Sequence, residues 1–106
     1  MSSSTRRAIQ GRQPQGIGEE IAYSLTTTPW GSSPTLASFA VLDITTALPG
    51  TDVTSTVAPG TPTVAGDVIT TPLIQDLTVG HIYRVELGFR CGSQKFVAWF
   101  ELEAEY

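Results

Sequence analysis

The chain has 106 residues, of which only 15% are charged and 41% apolar; 15 Thr, 9 Ser, 10 Gly and 7 Pro supply much of the remainder. That balance is enough for one domain with a core, and it favours strands and turns over a coiled coil, a helix bundle or a highly charged disordered chain. A single Cys (Cys91) and a single His (His81) exclude a Cys/His metal cluster and an intrachain disulfide, and no apolar run approaches the ~18 residues of a membrane span.

Residues 1–18 contain Arg6, Arg7 and Arg12 and no acid, whereas residues 19–106 carry ten acids against Arg84, Arg90 and Lys95. The net charge of −4 therefore conceals a +3 arm on a −7 body. The arm is rich in hydroxyls, Gln and Gly, with only Ile9 and Ile17 to anchor it. It is expected to be mobile in the isolated chain, and either orders on an acidic neighbouring subunit or remains a loose terminus. Removing it is expected to leave the fold intact and weaken assembly. Three arginines are too few to point to nucleic acid. The N-terminus lacks the apolar stretch of a secretory signal, so the chain is expected to be made and kept in a cytoplasm, or exported by a route other than a signal peptide.

The globular part, residues 19–106, begins with alternation at Ile21, Tyr23 and Leu25, which predicts a first strand. Pro29, Trp30, Gly31 and Pro34 then mark a loop. Residues 36–42 read as a second strand, with either Phe39 and Val41 or Leu36, Ala40 and Leu42 facing inward. Residues 43–51 turn. Residues 53–57 read as a short Thr/Val strand, residues 63–65 as another, and residues 68–74 as a strand that Pro72 places at an edge or bulge. Turn signals between such segments predict a sandwich or barrel.

The C-terminal hairpin is the strongest local signal. Tyr83, Val85, Leu87 and Phe89 alternate on one strand, and Phe96, Ala98, Phe100 and Leu102 on the next. A two-residue Gly92-Ser93 turn of type II′ pairs Cys91 with Gln94, Phe89 with Phe96, Leu87 with Ala98, Val85 with Phe100 and Tyr83 with Leu102. A one-residue slip would turn the apolar faces outward. On the other face Arg84 falls opposite Glu101 and Glu86 opposite Trp99. Val97 and Trp99 are thus apolar residues on a nominally outer face. They are either covered locally or form a contact patch for a neighbouring subunit.

Leu77-Thr78-Val79-Gly80-His81-Ile82-Tyr83-Arg84-Val85 resembles the tyrosine corner of immunoglobulin and fibronectin type III sandwiches. There Leu77 would plug the core, Gly80 permit the turn and Tyr83 bond back to upstream backbone. Residues 20–25, 52–57, 64–69 and 74–85 also stand in the same order as in small bacteriophage and prophage virion proteins. Those proteins look like single immunoglobulin-like domains described as fibre–tail or head–tail adaptor-type components. The resemblance implies an all-β, immunoglobulin-like antiparallel sandwich of about seven strands. It implies a structural virion protein made in the bacterial host cytoplasm, with other virion proteins or copies of itself as partners. It transfers no catalytic residues and no cofactor.

The residues themselves point the same way. His81 stands beside a turn with no carboxylate predicted near it, and reads as an exposed corner residue. Cys91 reads as a plain turn residue. Asp43, Asp52, Asp67 and Asp76 lie in or beside turns, where Asp caps backbone amides, without the dense spacing of a calcium loop. Trp30 either caps one end of the sandwich or offers an exposed ring to a partner or sugar. The chain is expected to be non-enzymatic. Arg6, Arg7, Arg12, Val97 and Trp99 are the candidate contacts, and a carbohydrate-binding module using Trp30 or Trp99 is the alternative.

Overall fold

The computed structural model describes the chain from Ser4 onward except positions 47 and 49, and of residues 4–12 it describes the backbone. In chain order the elements are β1 (Ser4–Gly16), β2 (Ser24–Thr26), β3 (Thr35–Asp43), β4 (Thr51–Asp52), α1 (Thr54–Val57), β5 (Thr63–Ala65), β6 (Val68–Thr70), β7 (Ile82–Cys91) and β8 (Gln94–Glu105). The protein is all-β, with one helical turn. A five-stranded sheet has the order β1-β8-β7-β3-β4, and a three-stranded sheet the order β2-β6-β5.

The β7–β8 hairpin adopts the register that alternation dictates, from Cys91 opposite Gln94 to Tyr83 opposite Leu102. Gly92 has φ +65°, the positive value required at the first position of a type II′ turn. β3 adds antiparallel to β7. Its inner face is the Phe39/Val41 alternative: Val41 is wholly buried and Phe39 packs against the core. Leu36 reaches the same core because the register slips between Leu36 and Ser38, which reverses the face parity. Gly88 makes room for that slip, since a Cβ there would collide with the Ser38 hydroxyl.

The small sheet is held by Leu25 opposite Ile69 and Ile69 opposite Val64. Before β2, the strand expected from Ile21 is reduced to a single bridge between Ile21 and Ile74. Pro72 ends β6 early, as a residue without an N–H must. Leu25 and Ile69 point into one half of the core with Leu87, Phe89, Phe96 and Ala98. Val57, Ala58, Ile74 and Leu77 fill the other half against Val41, Val85, Phe100 and Leu102. The two sheets thus face each other across a continuous apolar layer.

Three expectations are corrected. Residues 53–57 are not a strand: Asp52 accepts hydrogen bonds from the Thr54 N–H and hydroxyl at 2.9 and 2.6 Å, curling the chain into α1 and burying Val57. The sheet is mixed rather than antiparallel, because β1 runs parallel to β8. Residues 4–16 are therefore a strand rather than a mobile arm. Without β1, β8 would present a twelve-residue edge of unpaired backbone, and that edge gives the charge-rich segment the hydrogen bonds its few apolar side chains could not replace.

Candidate functional site

The corner before β7 is built as its residues imply. The Tyr83 hydroxyl accepts the Thr78 N–H at 2.8 Å, five residues upstream. Leu77 is buried beside it, and Gly80 takes φ +84°. This pins the start of β7 and the pole where it meets the end of β3. There His81 Nδ1 lies 2.7 Å from Asp43 Oδ2, correcting the expectation of no carboxylate nearby. Thr45 donates to Asp43 through its N–H and in turn accepts the Ile82 N–H at 3.0 Å. Burial works to raise the Asp43 carboxyl, but hydrogen bonds from Thr45 and His81 outweigh it and hold the group below its ordinary value. Among the described residues no hydroxyl or thiol bonds the other imidazole nitrogen. The cluster is a clip between two strand ends.

The outer face of the large sheet carries Arg84, Glu86, Val97 and Trp99. Arg84 lies opposite Glu101, and Glu86 opposite Trp99. The Arg84 guanidinium sits 4.0 Å over the Trp99 ring, a cation–π contact. Its Nε is 2.9 Å from Glu86 Oε2, close enough for an ion pair but too poorly angled for a hydrogen bond. Trp99 and Val97 are both partly covered. Backbone pairing sets Thr5 beside Val97, Arg7 beside Trp99 and Arg12 beside Glu101. The basic segment thus lies along the acidic strand of its own chain, with Arg6 next to Ala98 in register. The side chains of Arg6, Arg7 and Arg12 lie outside the described residues.

A cleft of about 260 Å³ opens between the sheets beside β2, lined by Tyr23, Leu25, Pro29, Trp30, Leu87 and Phe100 among others. Ala98 forms part of its lining, where a small side chain leaves depth. Trp30 is half-buried and meets the Phe89 ring at 5.9 Å, so it both caps this end of the core and faces the cleft. Among the described residues no strand pairs with β2 on its outer side. Tyr23 O accepts the Thr71 N–H and the Thr27 N–H donates to Asp67 O, both at 2.8 Å. Alternation then turns the N–H and C=O of Ser24 and Thr26 away from β6, toward the open edge.

Gln15 is the residue sequence reasoning missed. It is 1% exposed. Its amide donates to Ile74 O at 2.6 Å and Glu19 O at 3.2 Å, and its Oε1 accepts the Tyr23 hydroxyl at 2.7 Å. One amide therefore ties β1 to the approach to β2 and to the Ile74 backbone at its bridge with Ile21. Lying between Pro14 and Gly16 in a polar run, it carries no periodic signal that could have revealed it. Burial, and then the negative charge of Glu19, push the Tyr23 phenol up from its ordinary value.

Cys91 is half-buried at the hairpin tip, 2.6 Å from where a Cβ on Gly31 would stand. Desolvation and the Asp67 charge raise its thiol, against a hydrogen bond with Thr27. Among the described residues no cluster of three or more His, Cys, Asp or Glu could hold a metal, and no helix is long and apolar enough to cross a membrane. No protein-family model, curated protein or solved structure matches the chain.

Proposed function

We propose that this chain is a non-enzymatic structural subunit of a phage or prophage particle, of the head–tail or tail-fibre adaptor type, working through protein–protein contacts. The observation that carries the contact role is the uncovered β2 edge with an apolar, Trp30-lined cleft beside it, since soluble domains usually blunt or cover such edges. The virion assignment draws on the ordered segment resemblance at residues 20–25, 52–57, 64–69 and 74–85. The immunoglobulin-like reading draws on the Tyr83–Thr78 bond and on the two facing sheets. Antibody labelling of purified particles from an induced host should decorate them at fixed positions. Protein that stays wholly in the supernatant after the particles sediment removes the reading.

A sugar-binding role is the second reading. It is favoured by the Trp30 ring lining a cleft that also counts Tyr23, Ser24 and Thr26 among its lining residues. A glycan array with a flat response across sugars disposes of it.

A further inference from the structure

The cleft beside β2 is held open from both sides. Leu87, Ala98 and Phe100, all buried, lie at its depth, and the half-buried Tyr23 and Trp30 stand nearer solvent. The Tyr23 ring is fixed at two points: its hydroxyl donates to Gln15 Oε1 at 2.7 Å, and its centre lies 5.2 Å from that of the Phe100 ring. Trp30 rests on Phe89 and rides on a loop fastened by its own backbone, where the Trp30 and Gly31 N–H groups donate to Thr27 O at 2.8 and 2.9 Å. Asp67 holds the same loop from the β5–β6 turn, accepting the Thr28 hydroxyl at 3.2 Å and the Ser33 N–H at 2.9 Å. Closing the cleft would break these contacts, so the space is preformed.

Size and lining narrow the occupant. An apolar cavity of about 150 Å³ takes one benzene ring. At about 260 Å³ this cleft has room for two fused rings. No residue in its lining carries a carboxylate, ammonium or guanidinium group, and the Tyr23 phenol, pushed up by burial, is neutral at physiological pH. A charged ligand would give up its hydration here for nothing. The Tyr23 hydroxyl is already bonded to Gln15 and the Ser24 hydroxyl to Thr70, so a ligand rich in hydroxyls finds little to bond. What the cleft offers is aromatic and aliphatic surface, with the outward C=O groups of Ser24 and Thr26 along its β2 side.

We propose that this cleft is a binding site for a small uncharged aromatic molecule of two fused rings with one hydrogen-bond donor, of which indole is a simple form. The rings pack among Tyr23, Trp30 and Phe100, and the donor meets the C=O of Ser24 or Thr26. The inference rests on the cleft alone and not on the contact role argued above, and it stands against the sugar reading of the same cleft.

Titrating the isotope-labelled full chain with indole, followed by nuclear magnetic resonance, tests it. Saturable shifts are expected at the amides of Ser24, Leu25, Thr26, Trp30 and Ala98. Ala98→Leu fills the depth of the cleft and should weaken indole binding about tenfold or more. Indole-3-acetate, which adds a carboxylate, should bind about tenfold more weakly or not at all. Should Ala98→Leu fail to fold, the map of shifts and the indole-3-acetate comparison decide. The proposal is overturned by shifts that do not saturate, that scatter over the surface or that persist undiminished in Ala98→Leu. Equal binding of indole-3-acetate overturns it too, as does D-glucose moving the same amides at a lower concentration than indole. A chain that ignores indole but labels particles loses this inference and keeps the virion reading; a chain that binds indole but is absent from particles does the reverse.

Discussion

Two side chains show how differently a buried hydroxyl and a buried amide announce themselves. Tyr83 stands in a Leu-x-x-Gly-x-x-Tyr pattern whose spacing implies a bond back to the chain, and the bond is made to the Thr78 N–H. Tyr83→Phe leaves that N–H without its partner, which costs about 1–2 kcal/mol. Thermal unfolding followed by circular dichroism should fall by roughly 4–8 °C per kcal/mol lost. Gln15 has no such pattern, because its partners at Ile74 and Tyr23 are distant in sequence and come together only through the fold. Gln15→Leu keeps the volume but strands a buried carbonyl and a phenol, and should lower stability by about 2–3 kcal/mol in urea titrations. An unchanged midpoint would mean that water serves those groups as well as the amide does.

The elements divide according to where their hydrogen bonds go. β7 and β8 pair locally, so the alternation of their own residues fixes both the strands and their register. β3 was legible as a strand but not in its facing, which is decided by a slip against Gly88 on another strand. α1 is set by the Asp52 side chain rather than by the β propensity of Val53 and Thr54. The sequence of β1 resembles a tail because it is poor in apolar residues, whereas the strand is made by backbone pairing to β8. That changes what truncation should do. Deleting residues 1–7 removes the short outer ladder of residues 4–7, leaving that of residues 12–16, and should shift the melt by only a few degrees. Deleting residues 1–18 also removes the Gln15 ties and exposes the β8 edge, and should lower the unfolding free energy by about 3 kcal/mol or more. Equal melts for the two truncations would show that the second ladder contributes nothing.

For the molecule as a whole, acid weakens contacts at two strand ends at once. Asp43 and Asp52 each cap the chain where a β-strand gives way to a turn. Both carboxyls lie below their ordinary value of 3.8, Asp43 through hydrogen bonds that outweigh its burial and Asp52 through hydrogen bonds from Thr54. Folded-state values that are depressed contribute stability above the ordinary value and lose it as pH falls through the lower one. Urea midpoints should therefore drop between about pH 4 and pH 2, and the Asp43→Asn/Asp52→Asn variant should start lower at neutral pH and fall less steeply. A variant with the same slope as the parent would assign the acid sensitivity to other groups. The parallel pairing of β1 with β8 carries a mechanical consequence. Ser4 lies beside Phe96 and Gly16 beside Glu105, so the two ends of the described chain leave the sheet at opposite poles. Tension applied between those ends slides the two strands past each other instead of peeling them apart. The hydrogen bonds of each ladder then bear the load together rather than one after another. A subunit strung between two parts of an assembly would be gripped along its most force-resistant direction.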